Sequence, residues 1–210
     1  MTSDRPAEPG RDTVVIVDDD PRVRGSIDSL LRSVGLHTRT CESAMELLDG
    51  GLPDGTSCII ADIRMPRIGG LELQQRLAEL GHGIPLIFMT GHGDIPMSVQ
   101  AMKAGAVDFL TKPFRDQDML DAVDAALARD RARRARDEAA AALRARHDSL
   151  TPREREVMEG VVRGLLNKQI AGELGLAEIT VKLHRSSMMR KMDTRSVADL
   201  VRLSEWLRQS

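Results

Sequence analysis

Residues 13–20 read TVVIVDDD, five consecutive β-branched residues and then three aspartates. A continuous apolar run without polar alternation suits a strand covered on both faces. The same pattern recurs along the first half. Ser57–Ala61 (SCIIA) is followed by Asp62, Leu86–Thr90 (LIFMT) ends on a hydroxyl, and Val107–Leu110 is followed closely by Lys112-Pro113. Leu36–Cys41 is a weaker strand candidate. Amphipathic stretches lie between these runs. Val23, Ile27, Leu30, Leu31 and Val34 share a helical face, as do Leu73, Leu77 and Leu80, then Val99, Met102 and Ala106, then Leu120, Val123 and Leu127. Strand alternating with helix predicts an α/β fold, a doubly wound (βα)5 parallel sheet with helices on both faces. Such sheets place their chemistry at the carboxyl ends of the strands.

The polar residues at those strand ends form a coherent set: Asp18, Asp19, Asp20, Asp62, Thr90 and Lys112. Clustered carboxylates repel one another, and Mg²⁺ relieves the repulsion with octahedral oxygen coordination. An aspartate can attack phosphorus to give an acyl phosphate. The charge on the transferring group then needs cationic and hydroxyl donors, which Lys112 and Thr90 supply. Taken singly, an Asp triplet is usually a solvated turn, a strand-end Thr structural, and a Lys a solvated charge. Their occurrence in order at successive strand ends argues for a site.

The segments VVIVDDD, ADIRMP, FMTGHGD and AVDFLTKPF resemble the receiver domain of two-component response regulators, closest to the FixJ branch, over about Thr13 to Ala128. The resemblance implies a flavodoxin-like receiver with Asp62 as phosphoacceptor. It implies Asp18 and Asp19, rather than Asp20, as the acidic pair that joins Asp62 in holding Mg²⁺ or Mn²⁺, with the backbone carbonyl of Arg64 completing the protein ligands. Thr90 matches the switch hydroxyl, Phe109 the switch aromatic and Lys112 the phosphoryl-binding lysine. Taken by its type alone, an aromatic such as Phe109 is ordinary core. The Lys112-Pro113 peptide is expected to be cis, and the implied partner is a sensor histidine kinase.

Behind this domain the composition changes. Residues 1–128 hold 12 basic and 20 acidic residues, 129–148 hold 7 and 4, and 149–210 hold 11 and 8. An acidic first half followed by basic segments suggests two domains with different partners. Residues 129–148 (RDRARRARDEAAAALRARHD) have helix-forming composition and little apolar bulk, so they read as a helical linker. Ala125, Ala128, Ala132, Ala135, Ala139 and Ala142 are spaced as a heptad seam, which fits either a pairing helix or a solvated spacer.

Residues 149–210 predict a small all-α domain of four helices. Thr151-Pro152-Arg153-Glu154 is a helix start with a capping box. Helices follow at about Asn167–Leu174, after which Gly175 turns the chain, at Glu178–Met192, and from Ser196. This is helix-turn-helix spacing, in which the second element enters the DNA major groove. Lys182, Leu183 and Ser186 could face bases, whereas Lys168, Arg185, Arg190 and Lys191 suit phosphates. Residues 150–203 resemble the effector domain of LuxR/NarL-type regulators, adding Thr180 to the DNA-facing candidates and implying double-stranded DNA as partner. The resemblance also implies a homodimer when phosphorylated, and RNA polymerase is a further candidate. Leu166 and Ala177 stand where the family often has Ser or Thr caps, and Gly172 lies inside a helix, so this domain is expected to be less stable than its relatives.

No stretch approaches the roughly 18 apolar residues of a membrane span. Residues 1–12 read as a disordered lead-in without a signal peptide. Cys41 and Cys58 lie outside any CxxC pair, so buried free thiols and a cytoplasmic location are expected. The sequence also bears on two other functional classes. A regulator with a degenerate input is disfavoured because every receiver motif residue is present. A phosphatase of the aspartyl-phosphate class needs an Asp two residues after its nucleophile; Arg64 occupies that place after Asp62, and although Asp20 stands at that spacing after Asp18, the remaining motifs fit a receiver better. The chain is therefore read as a regulator and not an enzyme.

Overall fold

The computed structural model describes residues 12–53, 55–91 and 95–209. The expected disordered lead-in, apart from Asp12, lies outside them. The chain divides into two compact units, residues 1–133 and 134–210. In the first unit the elements run β1 (Thr13–Val17), α1 (Pro21–Ser33), β2 (His37–Cys41), α2 (Ala44–Gly50), β3 (Thr56–Asp62), α3 (Gly70–Glu79), β4 (Leu86–Thr90), α4 (Ile95–Lys103) and β5 (Asp108–Thr111). Helix α5 (Asp116–Asp148) begins in this unit and ends in the second. The second unit then holds α6 (Pro152–Val162), α7 (Asn167–Leu174), α8 (Glu178–Lys191) and α9 (Val197–Gln209).

The five strands are parallel and ordered β2-β1-β3-β4-β5. The chain reverses direction across the sheet between β1 and β3, so a crevice opens at their carboxyl ends. Alternate strand residues serve two cores. Val15, Ile59, Ala61 and Phe88 pack with α2, α3 and α4 through Leu47, Leu73, Leu77 and Ala101. Val14, Ile16, Ile60 and Met89 pack with α1 and α5 through Ile27, Leu31, Met119, Val123 and Leu127. The expected inward face of α4 needs correction. Val99 and Met102 are about half exposed, whereas Ala101 and, just past the helix, Ala106 are buried and Met97 packs against the core, so the inward face carries the i, i+4 pair Met97 and Ala101 instead. Leu80 is likewise exposed at the C-cap of α3.

The second unit packs around Leu143, Leu150, Val157, Val161, Ile170, Val181, Met188, Met192 and Leu200. Leu143 belongs to the segment read as a solvated linker. The last turns of α5 therefore contribute to the core of this unit. At its other end the segment is also tied down: Asp130 is fully buried and bonded by Arg133 at 2.6 Å. The six alanines of the heptad-like seam are all exposed in the single chain.

Candidate functional site

The turn after β1 sorts the three aspartates by role. Asp20 caps α1, its carboxylate accepting from the Arg22 N–H at 2.8 Å, with Pro21 opening the helix. Asp18 is fully buried, and one of its carboxylate oxygens accepts from the Asp20 N–H at 2.8 Å. That leaves Asp18, Asp19 and Asp62, which offer carboxylate oxygens within 4.8 Å of one another. Asp62, at the end of β3, is held through Oδ1 by the Arg64 N–H at 2.9 Å. Lys112 closes the cluster, donating to Asp18 Oδ2 at 2.6 Å and to Asp62 Oδ2 at 2.5 Å. Burial acts to lower the Lys112 pKa, but the hydrogen bonds to Asp18 and Asp62 outweigh it and hold the ammonium above its ordinary range. The Lys112-Pro113 peptide is cis, as expected.

Thr90 is buried at the end of β4, one residue beyond Met89, the partner of Asp62 across the sheet. Phe109 pairs with Phe88 and is only half buried, at the edge of the core formed with α2, α3 and α4. The glycine pair after β3 sets the backbone of Asp62. A Cβ on Gly70 would lie 2.6 Å from the Asp62 carbonyl oxygen and 2.9 Å from the Phe88 ring, and one on Gly69 would lie 2.7 Å from the Ile63 carbonyl. Helix α3 can therefore begin directly against the strand end that carries Asp62.

In the second unit, α8 presents one exposed stripe: Glu178, Ile179, Lys182, Leu183, Ser186 and Arg190. Lys168 is exposed on α7, and Thr180 is half buried at the edge of the stripe. Two other expected DNA-facing cations are engaged inside the domain. Arg185 donates to Asn167 Oδ1 at 2.8 Å, and Lys191 donates to Glu154 at 2.6 Å and to the Ser149 carbonyl at 3.1 Å. Glu154 is buried and completes the capping box with Thr151. Burial pushes its carboxyl up, but Lys191, Ser187 and Thr151 pull harder and bring it down to about 2. Leu166 cannot cap α7, yet its N–H donates to Gln169 at 2.8 Å, so half of a capping box survives.

Comparison with known proteins matches residues 14–124 to the response regulator receiver domain and residues 148–204 to the bacterial regulatory proteins of the luxR family. The chain belongs to the response regulators. Nodulation protein W of Bradyrhizobium diazoefficiens is 55% identical over 92% of this chain and 86% of its own length. The transcriptional regulatory protein FixJ of Azorhizobium caulinodans is 44% identical, over 91% of this chain and 90% of its own. Among solved structures, the response regulator StyR superposes with a TM-score of 0.84 at 47% identity, covering 93% of this chain and 99% of that one. This response regulator thus joins a flavodoxin-like receiver to a LuxR-type DNA-binding domain, in a family of transcriptional regulators. Among the described residues, no helix is long and apolar enough to cross a membrane.

Sequence reading missed four positions in the response regulator. Gly69 and Gly70 carried a signal only as a pair of small residues after a strand-end aspartate. Arg67 adopts a positive φ of 68° in the same loop, which no local pattern announced. Asn167, at the start of α7, accepts from Arg185.

Proposed function

We propose that Asp62 accepts a phosphoryl group from the phosphohistidine of a sensor histidine kinase, and that the acyl phosphate controls binding of residues 149–210 to double-stranded DNA. Three observations support the receiver chemistry: clustered carboxylates, a lysine bridging two of them, and a buried strand-end hydroxyl. The single observation that carries it is the juxtaposition of Asp62 with Asp18 and Lys112.

The donor set fits a divalent ion. Asp18, Asp19 and Asp62 supply the hard oxygen ligands that Mg²⁺ or Mn²⁺ prefers, and the Arg64 carbonyl is the proposed backbone ligand. When bound, the ion would neutralise charge on the transferring phosphoryl oxygens. The protein's own groups do the rest. An Asp62 carboxylate oxygen attacks phosphorus, the P–N bond to histidine breaks, and the electron pair leaves with the imidazole, which takes up a proton. Lys112 moves its ammonium from the Asp62 carboxylate to a phosphoryl oxygen. Thr90 turns its hydroxyl to another, and Phe109 turns into the space it vacates. The surface of α4, β5 and α5 changes as a result, and the coupling needed is about 1–3 kcal/mol.

The functional parts are residues 13–128 as receiver, 129–148 as the helical connection and 149–210 as the DNA-binding domain, working in the cytoplasm. Phosphorylation favours a homodimer on DNA, with RNA polymerase as the downstream partner. On α8 and α7, Lys182, Leu183 and Ser186 meet bases, while Lys168, Thr180 and Arg190 meet the backbone. Arg185 acts through Asn167, and Lys191 serves the fold through Glu154. The test is a DNA-binding titration with and without acetyl phosphate and Mg²⁺. Phosphodonor should tighten binding by the wild type and leave Asp62→Asn unchanged. Equal response by both proteins contradicts the proposal.

A further inference from the structure

Helix α8 exposes two large apolar side chains: Ile179 is 65% and Leu183 66% solvent-accessible. Neither residue supports the core, which α8 enters through Val181, Met188 and, at its C-cap, Met192. The two are four residues apart, on the same side of the helix and within its first two turns. The exposed stripe around them is polar, with two cations to one carboxylate. Lys182 and Ser186 interleave with the pair, Arg190 continues the stripe, and the one carboxylate, Glu178, is ion-paired to Lys182 at 3.6 Å. Apolar groups held in water among cations, on the helix that faces DNA, fit an apolar feature of the duplex. The major groove offers one such feature, the C5 methyl group of thymine, which stacks against aliphatic side chains.

We infer that Ile179 and Leu183 together form a thymine-methyl reader, so that each half-site carries A·T pairs where α8 enters the groove. This rests on the reading of α8 as the DNA-contacting helix and deepens it by naming the chemistry of the base contact. A side chain at position 179 reaches the groove one turn ahead of Leu183. Two methyl contacts one turn apart on a helix crossing the groove select a spaced pair of thymines rather than a single one.

The test uses the full chain with acetyl phosphate and Mg²⁺. Duplexes enriched from a random pool are resynthesised with deoxyuridine replacing thymine, one position at a time, which removes only the methyl group. At one or two positions per half-site, the wild type should lose about 3- to 5-fold in affinity per methyl, the effect of one buried carbon. Ile179→Ala and Leu183→Ala should each become insensitive at a different one of those positions, with the slope of affinity against salt unchanged. Both positions are exposed, so the variants should keep the wild-type melting curve. Sequence-specific binding that ignores every thymine-to-uracil change would overturn the methyl reader and leave the DNA-binding domain intact. Absence of any salt-dependent duplex binding would overturn both and turn attention to a protein partner for this patch.

Discussion

Lys112 Nζ sits between Asp62 Oδ2 and Asp18 Oδ2, at 2.5 and 2.6 Å. Residues 94 positions apart in sequence are thus bonded across the carboxyl edge of the sheet. The ammonium balances the Asp62 carboxylate, and under the proposed mechanism it follows the phosphoryl once it arrives. Lys112→Ala should slow labelling of Asp62 by acetyl phosphate about 10- to 100-fold, the scale for losing one charge-stabilising donor. It should also uncouple labelling from tighter DNA binding, which parallel phosphoprotein gels and DNA titrations would show.

Gly70 offers a test of backbone placement. A methyl group there meets the Asp62 carbonyl and the Phe88 ring, neither of which can move freely. Gly70→Ala should destabilise the receiver by about 1–3 kcal/mol. Phosphorylation should slow as well, since the shift is passed to Asp62, the proposed phosphoacceptor. Urea unfolding followed by circular dichroism measures the first effect and a labelling time course the second.

The ion pair between Lys191 and Glu154 makes the second unit acid-sensitive. The Glu154 carboxyl is lowered from 4.5 to about 2, so its contribution is fully present above pH 4.5 and is lost as pH falls through 2. Glu154→Gln should flatten the decline in stability over that window. Lys191→Met should cost about 1–3 kcal/mol at neutral pH by leaving a buried carboxylate without its cation. Trp206, the single tryptophan, lies on α9 of this unit and reports its unfolding by fluorescence.

Gly172 is a correctable weakness. It lies inside α7, and an added Cβ would meet nothing within 4 Å. Gly172→Ala should stabilise the second unit by about 1 kcal/mol, read from the same Trp206 signal.

The strands of the receiver were legible because β1, β3 and β4 are unbroken apolar runs that end on a polar residue. The aspartates could be assigned only by resemblance. The structure supplies a physical reason, since Asp20 is spent on capping α1. The orientation of α4 was not legible, because the apolar spacing pointed to Val99 and Met102, whereas Met97 and the small Ala101 face the core. Leu143, one bulky apolar residue in an Ala- and Arg-rich stretch, was the available sign that the linker enters a core. The capping box at Thr151 was readable because it is local. The commitment of its Glu154 to Lys191, 37 residues away, required the fold.

The central claim is that Asp62 carries the phosphoryl group, and peptide mass spectrometry tests it most directly. The full chain is incubated with acetyl phosphate and Mg²⁺, the acyl phosphate is reduced with borohydride, and the digest is sequenced. Reduction at position 62 alone, abolished in Asp62→Asn, is the expected result. Modification at Asp18, at Asp19 or elsewhere, with position 62 untouched, would contradict it.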